Sequence, residues 1–141
     1  MRYSAEIEIN ATADKVWEIL TNNATYPELH PKFHKVEGKM SLGEAITITG
    51  ELNQQESQIR MKVVEFLPKQ KMTWKSVRPL GDLKAERVFS IESSANGVLL
   101  KTWEDFGGFL LPFFSWMLPD FNVDFAQFLA AVKKRAEGNK Q

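Results

Sequence analysis

A series of short segments in which apolar and polar residues alternate constrains the fold most. In the first segment, Tyr3, Ala5, Ile7 and Ile9 fall on one face, and period-two alternation indicates a half-buried strand. The predicted strands cover residues 3–9, 33–38, 43–52, 57–66, 71–77, 84–92 and 98–106. Asn96-Gly97 precedes the last of them and is typical of a tight hairpin turn. Short strands joined by tight turns predict a mainly antiparallel, meandering sheet.

Helical patterns occupy two other parts of the chain. Thr12 precedes an apolar stripe at helical spacing and is a suitable N-cap, so a helix follows the first strand, with a second short turn over residues 24–29. A longer helix near the C-terminus is predicted by the stripe Phe121, Phe125, Phe128, Leu129, Val132 and Ala136. Asp120 and Asp124 near its start suit the helix dipole. We therefore expect an α+β fold and, from the length of 141 residues, a single domain over residues 1–141.

Composition excludes several classes of function. The chain has no cysteine, so disulfides, thiolate catalysis and cysteine-ligated metals are excluded. Lys plus Arg and Asp plus Glu are both 18, which leaves no overall attraction to nucleic acid or anionic lipid. The N-terminus alternates instead of presenting the continuous apolar region of a signal peptide. We expect a cytoplasmic protein without a nucleic-acid partner.

The segment from Phe106 to Phe128 is the most apolar part of the chain and holds half of its aromatic residues. Two prolines, a glycine pair and Asp120 interrupt it, so it is too short for the ~20 residues of a membrane-spanning helix. One helix stripe does not accommodate Phe109, Phe113, Trp116 and Met117 together. Three interpretations remain open: the wall of a ligand pocket, a plain core, or a dimer or membrane-docking face at residues 113–117.

Motifs of catalysis and metal binding are not found. His30 and His34 are four residues apart, but Pro31 between them disfavours a regular helix, so they are interpreted as loop or surface histidines. Gly107-Gly108 lacks the Lys-Ser/Thr of a phosphate-binding loop and is interpreted as a hinge. We assign no catalytic residue, no metal ligand and no cofactor.

Three stretches carry a resemblance to a known family: Ala13-Asp-Lys-Val-Trp-Glu-Ile-Leu20, Tyr26-Pro27, and the ending Leu129-Ala-Ala-Val-Lys-Lys-Arg-Ala-Glu137. With the order of elements, they resemble the START-like (SRPBCC) helix-grip superfamily, and within it the polyketide cyclase/dehydrase and lipid transport group. The resemblance implies a curved antiparallel sheet of about six or seven strands wrapped around a long C-terminal helix, with two short helices after the first strand. It also implies a cavity between sheet and helix, which holds an apolar ligand in many members.

A ligand site in that cavity is expected to use mostly apolar side chains. The candidates are Tyr26, Phe33, Trp74, Phe89, Trp103, Phe109, Phe113, Trp116, Met117, Phe121 and Phe125. His34, Arg87 and Glu104 are the polar candidates. Arg87 shares an apolar strand face with Phe89 and Ile91, so it either pairs with Glu104 or Asp105 or keeps its head in water at a sheet edge.

The expected function is binding of an apolar or amphipathic small molecule, such as a lipid, quinone, isoprenoid or polyketide-like ring. The loop over residues 106–114 would act as its gate. A cyclase or dehydratase is the enzyme alternative, and docking through residues 113–117 is the third. A homodimer is left open. Which face of the strand 98–106 points inward is not decided by the sequence.

Overall fold

The computed structural model describes residues 1–52, 54–77, 84–108 and 120–138. The strands are β1 (Arg2–Ile9), β2 (Phe33–Gly38), β3 (Ala45–Leu52), β4 (Gln55–Leu67), β5 (Lys71–Ser76), β6 (Lys84–Ser94) and β7 (Gly97–Gly107). The helices are α1 (Ala13–Thr21), α2 (Tyr26–Leu29) and α3 (Phe121–Glu137), and a 3-10 turn covers Asn23–Thr25. The strands form one antiparallel sheet in the order β1-β7-β6-β5-β4-β3-β2. The predicted α+β helix-grip fold is confirmed.

Short polar side chains begin both longer helices. The Thr12 hydroxyl accepts a hydrogen bond from the Lys15 backbone N–H at 3.2 Å, as the sequence predicted for α1. The Asp120 carboxylate accepts from the Asn122 backbone N–H at 3.0 Å and starts α3. Each cap satisfies a donor that the helix itself leaves open, which fixes where the helix begins.

The strand order leaves one edge of β1 unpaired, and α3 lies along that edge. Sequence neighbours pair from β2 to β7, and β1 closes the order by pairing with β7. Asn122 of α3 accepts from the Ser4 backbone N–H at 2.9 Å, and the Lys133 ammonium donates to the Glu8 carbonyl at 2.9 Å. Side chains of α3 thus occupy backbone groups that an edge strand would otherwise expose.

The core lies between the inner face of the sheet and α3. The even-numbered residues of β7 point inward, because Leu100 and Thr102 are fully buried while the odd-numbered positions are partly exposed. From α3, Phe125, Phe128 and Val132 are at most 1% exposed. Alternation along β7 therefore also turns Glu104 toward the helix and Trp103 away from it.

Gly97 begins β7 in a conformation that other residues rarely adopt. Its φ angle is +147°, and a Cβ atom at this position would overlap the Ile9 carbonyl oxygen. Asn96 and Gly97 form the predicted hairpin between β6 and β7, where Ser94 pairs with Gly97. A residue without a Cβ atom is therefore required for β7 to start beside the end of β1.

We predict that Gly97→Ala lowers the free energy of unfolding by about 2–3 kcal/mol, because both the backbone angle and the contact with Ile9 become strained. Chemical denaturation measures the change. Gly107→Ala is the matched control, since no heavy atom lies within 4 Å of a Cβ placed there. Equal stability of the two variants would contradict the argument.

Candidate ligand site between the sheet and the C-terminal helix

A group of aromatic rings lies between the sheet and α3. We call this group the inner cluster; its members are Tyr26, His30, Phe33, Trp74, Phe89, Phe125 and Phe128. Tyr26 stacks on Phe128 with ring centroids 5.8 Å apart, and Trp74 meets Phe89 edge-on at 4.8 Å. These distances are typical of favourable aromatic pairs. The structure thus brings together Tyr26, Phe33, Trp74, Phe89 and Phe125, five of the predicted site residues.

Arg87 lies inside this cluster with its side chain 3% exposed. Its guanidinium carbon is 3.9 Å from the ring centroid of Phe125 and 4.8 Å from that of Phe89. Nε donates to the Thr102 hydroxyl at 2.8 Å, whereas Nη2 is buried without a hydrogen-bond partner. Since β6 pairs with both β5 and β7, the interpretation of Arg87 as a sheet-edge residue with its head in water is wrong.

Glu104 stands directly across from Arg87 in the pairing of β6 with β7, on the inner face. No ion pair within 4.0 Å joins the two side chains in the described part of the chain. Burial raises the pKa of the Glu104 carboxyl, and the charge of Arg87 opposes this effect. Asp105, the other predicted partner, instead accepts from Arg2 at 2.7 Å on the opposite face, so that prediction is wrong.

His30 was predicted as a loop or surface residue, and its ring is in fact buried, with 3% exposure. It follows α2, stacks on Phe33 with centroids 3.9 Å apart, and its Nδ1 accepts from the Lys32 backbone N–H at 3.3 Å. An accepting Nδ1 places the proton of a neutral imidazole on Nε2, which is buried without a partner. Burial, together with the charges of Arg87 and Lys32, holds the pKa of His30 well below its usual value.

Trp74 supplies a third unpartnered donor. The residue is 1% exposed, and its indole Nε1 has no hydrogen-bond partner among the described residues. Arg87 Nη2, His30 Nε2 and Trp74 Nε1 are thus all buried N–H donors without acceptors. Because most buried polar groups in proteins are paired, three unpartnered donors around one cluster are unusual.

Two predicted site residues lie elsewhere. His34 is exposed, with Nδ1 3.4 Å from a Glu56 carboxylate oxygen and Nε2 4.0 Å from one of Glu51. Trp103 is on the outer face of β7, where the Arg2 guanidinium lies 5.4 Å from its ring centroid. Alternation along a strand sends neighbouring side chains to opposite faces, and this removes both residues from the inner cluster.

A second aromatic group lies at the start of α3. The Phe121 ring is 6.0 Å from Phe125, 5.6 Å from Phe106 and 5.3 Å from Tyr3. It extends the inner cluster from Phe125 toward partly exposed positions. Gly108 has a φ angle of +130°, which favours glycine. The remaining site candidates, Phe109, Phe113, Trp116 and Met117, lie outside the described residues, so the hinge and the gate stay predictions.

The described ranges contain neither a candidate metal site nor a candidate membrane-spanning helix. No group of three or more His, Asp or Glu side chains there is arranged to hold a metal ion. No helix within these ranges is long and apolar enough to cross a membrane.

An antiparallel sheet that wraps a C-terminal helix and buries aromatic rings between them defines a START-like helix-grip protein. The chain belongs to the polyketide cyclase/dehydrase and lipid transport family, whose sequence pattern matches residues 1–137. The resemblance inferred from the sequence is therefore confirmed. No curated protein sequence matches this chain.

Solved structures of the same fold share little sequence with it. The di-domain ARO/CYC protein StfQ of the steffimycin biosynthetic pathway has a TM-score of 0.77 and 13% identity over 99% of this chain. This chain spans about half of that protein (51%). Norcoclaurine synthase of Thalictrum flavum has a TM-score of 0.76 and 14% identity, with 100% of this chain and 96% of that chain covered. A START superfamily protein of Mycobacterium smegmatis has a TM-score of 0.74 and 16% sequence identity, with 98% of each chain covered.

We predict that Arg87→Met leaves the ligand-free protein within about 1 kcal/mol of the wild type or makes it more stable. Burial lowers the pKa of Arg87, so the fold disfavours its charge, and replacing a buried charge by an apolar side chain is often neutral or stabilising. Phe128→Ala, beside it in the core, is expected to cost about 3–5 kcal/mol. Urea denaturation compares the two, and a loss above about 3 kcal/mol for Arg87→Met would contradict the prediction.

A pH dependence follows from His30. Because its folded pKa lies below its unfolded value, the unfolded state takes up a proton that the folded state excludes below about pH 6.5. The free energy of unfolding should therefore fall from about pH 7 toward pH 5, by up to about 1 kcal/mol per pH unit more than in His30→Phe. His34→Gln, at the exposed histidine, is the control for loss of an imidazole outside the inner cluster. Identical slopes in the wild type and His30→Phe would refute the assignment.

Proposed function

We propose that this protein binds an apolar or amphipathic small molecule between the inner face of the sheet and α3. One observation carries the proposal: buried donors on Arg87, His30 and Trp74 lack partners inside a cluster of aromatic rings. Ligand sites in proteins combine apolar and aromatic walls with a few polar groups that orient the ligand. Family membership supports the same class of function, since the family joins cyclases and dehydrases with lipid transport.

The walls of such a site favour a flat or flexible apolar body. Phe89, Phe125 and Phe128 present rings around the Arg87 guanidinium, and each of these residues is at most 1% exposed. Apolar burial contributes roughly 25 cal/mol per Å² before the cost of association. A lipid, a quinone, an isoprenoid and a polyketide-like ring all provide such a body, and the polar donors give it an orientation.

Intrinsic fluorescence tests the position of the site with a matched pair of variants. Trp74 lies in the inner cluster, whereas Trp103 lies on the outer face of β7. Binding of the neutral probe N-phenyl-1-naphthylamine should quench tryptophan emission in the wild type and in Trp103→Phe. In Trp74→Phe the quenching should be clearly weaker than in Trp103→Phe, because this variant removes the tryptophan of the inner cluster from energy transfer. Equal quenching in both variants would place the probe elsewhere.

Native mass spectrometry of the purified protein, followed by denaturing extraction, tests whether it carries a passenger. A stoichiometric apolar compound would support the binding function and identify the ligand. Absence of a passenger, together with no binding of the naphthylamine probe, would count against the proposal.

An enzyme of the cyclase or dehydratase type is the alternative, and one observation favours it. Glu104, whose pKa is raised by burial, faces the same side of the sheet as Arg87 and accepts no hydrogen bond from the described residues. A buried carboxyl whose pKa is raised is a suitable acid for a carbonyl substrate. Conversion of an extracted passenger by the wild type but not by Glu104→Gln would favour the enzyme. Cytoplasmic location, a homodimer and docking through residues 113–117 stay predictions.

A further inference from the structure

The unpartnered groups of the site share one chemical character, because all three are donors. Arg87 Nη2 and Trp74 Nε1 are donors in every state, and His30 Nε2 is a donor while Nδ1 accepts from Lys32. The acceptor that Arg87 already contacts is itself fully engaged. The Thr102 hydroxyl accepts from Arg87 Nε and donates to the Val88 carbonyl at 2.9 Å. A ligand that satisfies this site must therefore bring acceptors.

The charge of the site also favours a ligand that brings acceptors. Tyr26, His30 and Glu104 are the ionisable groups that act on Arg87 or respond to its charge within the described ranges. Tyr26 is fully buried and donates its hydroxyl proton to the Leu20 carbonyl, and the buried His30 ring is neutral. Glu104 makes no ion pair with Arg87 within 4.0 Å among the described residues, although its charge raises the pKa of Arg87. The guanidinium is thus a buried cation that no anion contacts. An anion that binds next to such a cation stabilises it strongly.

We infer that the ligand of this site is an apolar organic acid, whose carboxylate pairs with Arg87 Nη2 while its apolar body contacts the rings of Phe89, Phe125 and Phe128. The inference rests on the proposed function and names the ligand class for it. A carboxylate offers acceptors on two oxygens, so it can also accept a hydrogen bond from a neighbouring donor. An alcohol satisfies the donors but leaves the cation uncompensated, and an amine adds a donor and a second positive charge.

A series of probes that differ in the head group alone tests the inference. Decanoic acid, decanol and decylamine share one chain, and displacement of N-phenyl-1-naphthylamine reports the affinity of each. In the wild type the acid should bind about tenfold or more tightly than the alcohol, and the amine should bind least tightly. Equal affinities of acid and alcohol would overturn the inference and leave the proposed function intact. Absence of binding by the naphthylamine and by all three probes would refute both.

Two variants locate the preference. Arg87→Met should abolish the advantage of the acid over the alcohol while the alcohol still binds. Arg60→Met, at an exposed arginine of β4, is the matched control and should keep the advantage. Retention of the wild-type acid preference in Arg87→Met would overturn the assignment.

Glu104→Gln provides a test that keeps Arg87 in place, should the methionine variant fail to fold. It removes the carboxyl that stands across from the guanidinium. Decanoic acid should therefore bind this variant a few-fold more tightly than it binds the wild type, and the affinity for decanol should stay the same. Weaker binding of the acid to Glu104→Gln would contradict the inference.

Discussion

The packing of α3 across the inner face of the sheet is the constraint on which the rest of the structure depends. Phe125, Phe128 and Val132 are almost completely buried by it, and the same helix closes the edge of β1 through Asn122 and Lys133. A sheet with one apolar face has to bury that face against another element. Because α3 does so, side chains that project from the middle of the sheet are enclosed whether they are apolar or charged.

Arg87 shows what this enclosure does to a polar side chain. In water its guanidinium would be hydrated, whereas here it lies among aromatic rings with one hydrogen bond to Thr102 and an unpartnered Nη2. Attraction of a cation to ring faces offsets part of the lost hydration, and the lowered pKa of Arg87 shows that burial still disfavours the charge. The charge of Arg87 therefore does not favour the folded state, which supports the role in ligand binding proposed for this residue.

The site was predictable to the extent that strand alternation defines it. Arg87 and Phe89 alternate with outward residues on β6, and this pattern already put them on one face. The burial of Arg87 was not predictable, because alternation shows on which face of the strand a residue lies but not whether another element covers that face. His30 carried no periodic signal at all, since α2 has a single turn, and its burial results from contacts with Phe33 and with α3. The sequence left the inward face of the last strand undecided, and the structure places Trp103 on its outer face; His34 is exposed, in line with its interpretation as a surface histidine.

The sequence by itself determined the elements, their order and some of their ends, because alternation, helical stripes, the Thr12 cap and the Asn96-Gly97 turn are local properties of the chain. It also determined the family, through motifs spread along residues 1–137. The tertiary structure alone decided which face of β7 points to α3 and which donors lack partners. Those properties depend on the pairing of strands distant in sequence, such as β1 with β7, and on the depth to which the final helix covers them.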